Sequence, residues 1–325
     1  MTVTTALKSH GTPSSAPRLG SPRPLTRIRQ SIPERFAPYA YIAPFFILFA
    51  VFGLFPMLFT FVVSLYDWNP IGQKNFVGLD NFATLLTDTR FWNAAGNTLS
   101  IWIMSTVPQL VIALGLAHLL HFARLKFANF FRMSLLVPYI TSVAATAIVF
   151  AQLFDTHYGL INWMLSLFGA DPVNWLAGQF SSQAVIAAMV IWRWTGYTTL
   201  LYLAGMQSIP REMYEAASVD GAGGWRQFTS VTIPSLRPVI IFTIITSTIG
   251  GLQIFTEPLL VNPSPPLTCG AARQCQTLTL YLYEQAFGNY KFGYGAAIGV
   301  ALFIMVIVIA AINFALSTRL KGSRS

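Results

Sequence analysis

The sequence predicts an all-α integral membrane protein with six transmembrane helices, and three observations carry that expectation. Of its 325 residues, 54% are hydrophobic and only 10% charged, where a soluble domain is about one-quarter charged. Mean hydropathy is +0.57. Several apolar runs reach the roughly 20 residues that a helix needs to cross a bilayer. Barrel-type alternation is absent, so the spans are expected to be helices, which satisfy their backbone groups internally.

Taken in order, residues 1–37 form a polar, basic tail with Lys8, Arg18, Arg23, Arg27, Arg29 and Arg35, expected to be disordered and cytoplasmic. The apolar stretch that follows is too long for the core of a cleavable signal, so it reads as a retained first span. Residues 38–318 form the membrane domain. Its spans are expected at Tyr39–Leu65, Thr98–Leu120, Met133–Phe154, Ala184–Met206, Val239–Val261 and Gly293–Leu316. Residues 319–325 are a cytoplasmic C-terminal tail.

Charge sets the orientation. The N-terminal tail, Phe122–Arg132, Gln207–Arg237 and the C-terminal tail together hold fifteen of the twenty Lys and Arg residues. Lys74, Arg90, Arg273 and Lys291 lie on the other side, and Arg193 falls inside a span. The bias puts both termini in the cytoplasm. The net charge of +9 therefore reports topology, and no aromatic-basic reading surface for nucleic acid accompanies it. The outer loops carry Trp68, Trp92, Trp163 and Trp175, as an interfacial belt would.

The inner loop Gln207–Arg237 is long and patterned. Pro210 suits a helix start, Glu212 the positive end of its dipole, and Gly221 the left-handed residue that ends it. Between them Met213, Ala216 and Ala217 make a small apolar face. A second helix from about Trp225 is expected to lead into Pro234, where the chain turns towards the fifth span.

Glu215-Ala216-Ala217, then Gly221, then Val231-Thr232-Ile233-Pro234 resembles the loop signature of ABC-importer permeases, which have Ile and Leu where this chain has Val231 and Ile233. The run Glu215 to Ala222 resembles the carbohydrate, maltose-type branch. Phe76–Phe82, Asn97-Thr98, Ile191-Trp192 and Leu203–Met206 extend the likeness over most of the chain. The resemblance implies that Met213, Tyr214, Glu215, Ala216, Ala217, Asp220, Gly221, Ala222 and Pro234 belong to a coupling loop that rests on a cytoplasmic ATPase. It also implies a second homologous permease, two ATPase subunits, an extracytoplasmic solute-binding protein and a sugar substrate, in the lipid of a bacterial inner membrane. With no G-x-x-x-x-G-K-[ST] in the sequence, ATP and Mg are expected on the partner ATPase, so the chain itself is expected to be non-catalytic and free of cofactors and metals.

A charge inside a span is costly and points to function. Arg193 has Trp194 beside it and Tyr197 four residues on, and Gln253 and Glu257 are four apart after Gly250-Gly251. These residues offer the planar hydrogen-bonding groups and aromatic surfaces that sugars need. The sugar-contacting positions of maltose-type relatives fall on Val190, Arg193, Trp194 and Tyr197, then Ser247, Gly251 and Ile254. The readings of Arg193 stay open: a donor to sugar hydroxyls steadied by Glu257, or a residue that pairs structurally with Glu257 or snorkels to an interface. Cys269 and Cys275 share an outer loop, where an oxidising exterior permits a local disulfide; two free thiols are the alternative.

The Gln276–Tyr283 segment resembles permeases for cellobiose-like oligosaccharides, while glycerol 3-phosphate importers share the branch. An ion-coupled secondary transporter would explain six spans but not the patterned loop. A membrane enzyme is disfavoured because His118, His121 and His157 form no metal or acid–base constellation with the carboxylates.

Overall fold

The computed structural model describes residues 37–122 and 127–322. They fall into two compact units, the first ending at Leu54 and the second beginning at Phe55. The expected tail at 1–37, apart from Ala37, and residues 123–126, which include Arg124 and Lys126, lie outside the described residues.

In the first unit, α1 (Ala37–Phe49) continues into a π-helical turn, Ala50–Leu54. The second unit opens with α2 (Phe55–Val63), which completes an apolar helical run, Pro38–Val63, long enough to span a bilayer. A short antiparallel ribbon, β1 (Tyr66–Trp68) with β2 (Lys74–Phe76), and α3 (Asp80–Thr87) lead into α4 (Thr89–Phe122). At 34 residues α4 is about 50 Å long, more than a hydrocarbon core requires, so it begins well before the expected start at Thr98.

The expected third span is not one rod. It consists of α5 (Ala128–Ile140) and α6 (Val143–Leu153), bent by 93° at Thr141-Ser142. Pro138 removes one ladder donor near the break, and the Thr141 hydroxyl donates to the Pro138 carbonyl at 2.7 Å. A small helix, α7 (Leu160–Ser166), precedes α8 (Gln179–Gln207), α9 (Arg211–Val219) and α10 (Gly224–Gln227). A π-helical turn, Phe228–Thr232, then joins α10 to α11 (Ile233–Leu252). The helix thus runs unbroken from Gly224 to Leu252, and Pro234 sits in its first turn after the π segment instead of at a corner. Proline is tolerated there because a π turn already disturbs the hydrogen-bond ladder.

The expected fifth span also breaks. It stops at Leu252 and resumes as α12 (Thr256–Val261). A second ribbon, β3 (Pro263–Ser264) with β4 (Thr268–Cys269), then α13 (Leu278–Tyr283) and the π turn Glu284–Gly288 form a cap. The last helix, α14, runs from Phe292 to Gly322, through most of the segment expected to be a tail.

Small residues let the helices approach. Ala113 and Ala117 of α4 pack with Tyr202, Leu203 and Met206 of α8 and Leu236 of α11. A Cβ on Gly205 would sit 2.7 Å from the Leu236 side chain. Close backbone approach of this kind is how helices associate in lipid, where apolar burial alone offers little.

Candidate functional site: a central cavity, an exposed helix and a cap

Between α4, α5, α8 and α11 lies a cavity of about 190 Å³. One wall is aromatic. Tyr139 of α5 stacks on Tyr197 of α8, with ring centroids 4.9 Å apart and planes 16° apart. Trp194 meets both rings edge-on, at 5.3 Å and 6.2 Å. Gly196 makes this possible, because a Cβ there would collide with the Leu135 carbonyl, and α5 could not then bring Tyr139 alongside α8.

From α11 the cavity is lined by Phe242 and by the small or hydroxylated residues Thr243, Thr246, Ser247, Gly250 and Gly251. A Cβ on Gly251 would lie 2.7 Å from the Trp102 ring, so glycine is what lets α11 close on α4. Gln109 of α4 completes the lining, its amide nitrogen donating to the Thr198 hydroxyl at 2.7 Å.

Of the expected path residues, Trp194, Tyr197, Ser247, Gly251 and Ile254 line this cavity, as does Val190. Arg193, Gln253 and Glu257 do not. Arg193 donates through Nη1 to Glu257 Oε1 at 3.3 Å, with both side chains buried. Gln253 is exposed. Gln253 and Glu257 do not share a helical face, because no helix joins them: the Gln253 N–H closes on the Gly250 carbonyl at 3.2 Å, and α12 starts afresh. Sequence reasoning missed Tyr139, Gln109 and Thr198. Pro138 followed by Thr141-Ser142 was the available signal for Tyr139, since a proline beside hydroxyl residues marks a breakable span.

At the opposite end of α8, α9 has no buried residue. Met213, Glu215, Ala216 and Asp220 are exposed, and Tyr214 and Ala217 half-buried. The helix closes with a Schellman motif: Ala222 N–H to the Ala217 carbonyl at 2.8 Å and Gly221 N–H to the Ser218 carbonyl at 3.0 Å, with Gly221 at φ +77°. Tyr214 fixes α9 to the membrane helices. The Tyr214 hydroxyl bonds the Thr232 hydroxyl at 3.0 Å, and the Tyr214 ring packs edge-on against Phe122 at the end of α4. Gln227 adds a bond to Ser218 at 2.8 Å.

The cap is built on polar bonds. Cys269 and Cys275 are joined in a disulfide. Arg273 donates to Glu284 at 2.7 Å, and Gln276 donates to the same carboxylate at 2.7 Å. That carboxylate raises the affinity of the Arg273 guanidinium for its proton. Asn97 of α4 donates to the Arg273 and Gln276 carbonyls at 3.0 Å and 3.2 Å, and Gln183 of α8 donates to Asn97 at 2.8 Å. The Thr277 hydroxyl donates to the Ile254 carbonyl at 3.0 Å, which ties the cap to a cavity residue. Asp88, between α3 and α4, accepts from the Tyr281 and Tyr294 hydroxyls. Burial raises the Asp88 pKa, but these bonds and two backbone N–H groups outweigh it and hold the carboxyl below its ordinary range.

A bundle of apolar helices around a central cavity, with an exposed helix between two spans, defines a polytopic transport protein. A family model described as binding-protein-dependent transport system inner membrane component matches residues 90–322, and the chain belongs to that family, the membrane-spanning permeases of ABC transport systems. It is 35% identical over 291 residues to the arabinooligosaccharides transport system permease protein AraP of Bacillus subtilis (strain 168), covering 89% of this chain and 91% of that one. It is 36% identical over 279 residues to the lactose transport system permease protein LacF of Rhizobium radiobacter, covering 85% and 92%. Among solved structures, a chain of a bacterial alginate ABC transporter, in complex with an alginate pentasaccharide-bound periplasmic protein, superposes with a TM-score of 0.76 at 23% identity, over 88% of this chain and 96% of that one. That likeness concerns the fold.

Proposed function

We propose that this chain forms half of the membrane pathway of an ATP-driven importer for a saccharide, holding its substrate in the central cavity and receiving the ATPase stroke at α9. The observation that carries the reading is α9 itself. It is a nine-residue helix between two spans whose Met213 and Val219 are 45% and 88% exposed, so it offers an apolar surface to a partner. An anchored helix with an uncovered face transmits force as a rigid element. The names of relatives that carry arabinooligosaccharides and lactose support a sugar as cargo.

In this reading α9 and both termini lie in the cytoplasm, following the positive-inside bias. A second homologous permease completes the pathway, two ATPase subunits bind ATP and Mg, and an extracytoplasmic binding protein delivers the sugar to the outer cap. Met213, Tyr214, Glu215, Ala216, Ala217, Asp220, Gly221, Ala222 and Pro234 form the coupling surface and its support. A glycerol 3-phosphate importer of the same architecture is the second reading; the permease UgpA of Escherichia coli O6:K15:H31 (strain 536 / UPEC), of the sn-glycerol-3-phosphate transport system, is 31% identical over 300 residues.

Cysteine cross-linking tests the coupling surface. A Val219→Cys or Met213→Cys chain, copurified with its ATPase, should cross-link to a subunit bearing a G-x-x-x-x-G-K-[ST] sequence. Cross-linking only to lipid-facing probes would reject it.

A further inference from the structure

A pocket of about 740 Å³, which shares no lining residue with the central cavity, lies between β1, α3, the π turn Glu284–Gly288 and the start of α14. Gln285, from the π turn, lines it and is only 5% exposed, yet its carboxamide makes no hydrogen bond among the described residues. A buried polar group left unpaired costs free energy. A ligand in the pocket would remove that cost by accepting from the amide N–H groups and donating to the amide oxygen. The backbone just beyond is held in an uncommon state. Tyr290 has φ +55°, rare for a bulky residue, and the turn it makes returns the Lys291 N–H to the Gln285 carbonyl at 2.9 Å. Lys291 thereby joins the lining.

Four charged residues line the pocket: Asp67, Asp88, Arg90 and Lys291. The two ion pairs found among the described residues, Arg193–Glu257 and Arg273–Glu284, include none of them. Asp88 is fixed by the Tyr281 and Tyr294 hydroxyls, which keep it an anion at neutral pH. A ligand with charge of one sign would meet two groups of its own sign here, whereas a zwitterion finds a partner for each end. The depth of the pocket points to the membrane as its source. The apolar run Phe292–Ala315 has 24 residues, about 36 Å of helix against a hydrocarbon core of about 30 Å. Its first residues therefore lie at the edge of the core, and Lys291 lies in the headgroup layer.

We infer that this pocket seats the phosphoethanolamine headgroup of a membrane lipid. Arg90 and Lys291 receive the phosphate, Asp67 and Asp88 the ammonium, and Gln285 donates to the first and accepts from the second. A quaternary ammonium has no N–H for Asp88 or Gln285 to accept, so phosphatidylcholine is the weaker ligand. The site depends neither on the cargo nor on α9.

The test uses the complete importer, assembled with its partner permease and ATPase, delipidated in detergent and titrated with dioleoyl-phosphatidylethanolamine or dioleoyl-phosphatidylcholine. Native mass spectrometry counts the lipid retained. Phosphatidylethanolamine should bind about tenfold more tightly, the scale of one charge-assisted hydrogen bond. Gln285→Ala and Lys291→Gln should each remove most of that preference without lowering the amount of assembled complex. Lys291 is exposed, so Lys291→Gln decides the matter even where Gln285→Ala fails to assemble. Equal retention of the two lipids by the parent would overturn the site. So would a preference that the variants keep, which is the result expected where a segment of the partner permease or of the binding protein fills the pocket. Soluble glycerophosphoethanolamine separates the two sources of the headgroup: binding as tight as that of the lipid would overturn the membrane as its source. ATP-driven sugar uptake by the parent is measured beside these titrations, and its outcome bears on the transport reading alone.

Discussion

Arg193 on α8 and Glu257 on α12 meet through a hydrogen bond of 3.3 Å, with side chains 10% and 9% exposed. The pair clamps the segment beyond the break in the fifth span to the helix that carries Trp194 and Tyr197. Arg193 Nε finds no acceptor among the described residues, so the pair holds position without saturating its donors. Breaking such a pair by removing one member costs about 3–5 kcal/mol, because an uncompensated buried charge remains. Glu257→Ala should therefore lower the melting temperature of the detergent-solubilised complex and its yield. Arg193→Met combined with Glu257→Leu should restore much of both, since an apolar pair of similar volume can replace a buried ion pair. A single variant as stable as the parent would refute a structural role.

Gly221 ends α9 at φ +77°, and a Cβ added there would meet nothing within 4 Å. Asp can adopt this conformation at a strain of about 1–2 kcal/mol, and it places a new charge beside the proposed coupling surface. Gly221→Asp should reach the membrane in normal amount yet lose ATP-dependent uptake, through uncoupling or release of the ATPase. Immunoblotting of membranes beside an uptake assay checks this, and normal uptake would refute it.

Much of this arrangement was legible in the sequence, and the exceptions have physical causes. The long apolar runs located the unbroken spans, though not their exact ends, and Pro210, Glu212 and Gly221 marked the limits of α9. The two breaks were hidden because hydropathy continues through them: Thr141-Ser142 and Gln253 each interrupt apolar sequence for only a few residues. Those breaks decide which side chains meet. The first brings Tyr139 to the cavity, and the second takes Gln253 and Glu257 off one helical face. Pro138 and Gly250-Gly251 hinted at breaks, but neighbouring helices tolerate such residues in unbroken spans as well. Gln109 and Thr198 gave no signal, since a Gln–Thr bond between helices 89 positions apart is a product of packing.

The disulfide closes a loop with a sequence separation of six, so its entropic contribution is about 2 kcal/mol. Alkylation followed by mass spectrometry should find Cys269 and Cys275 unreactive until a reductant is added. Cys269→Ser with Cys275→Ser should loosen the cap, seen as faster amide exchange around Arg273 and Gln276, while the membrane helices keep their protection. Two thiols that alkylate without reductant would contradict this.

Asp88 supplies a pH dependence. Its folded pKa lies below the ordinary 3.8 because of the Tyr281 and Tyr294 hydroxyls. A depressed carboxyl contributes stability that is fully present above its unfolded value and is lost as pH falls through the folded one. The contribution should thus be constant from about pH 5 to pH 8 and disappear only below about 4. Asp88→Asn should lower the melting temperature at neutral pH, and the difference from the parent should shrink at about pH 3. A difference that grew on acidification would have the wrong sign.

The central claim is that this permease moves a sugar when a separate ATPase acts on it through α9. The most direct measurement is accumulation of radiolabelled sugar in proteoliposomes that carry the chain and its partners, with ATP on the α9 side, against the same vesicles without ATPase but with an imposed proton or sodium gradient. Accumulation should require both ATP and the ATPase, and Gly221→Asp should abolish it. Accumulation driven by the ion gradient alone, in vesicles that hold no ATPase, would contradict it.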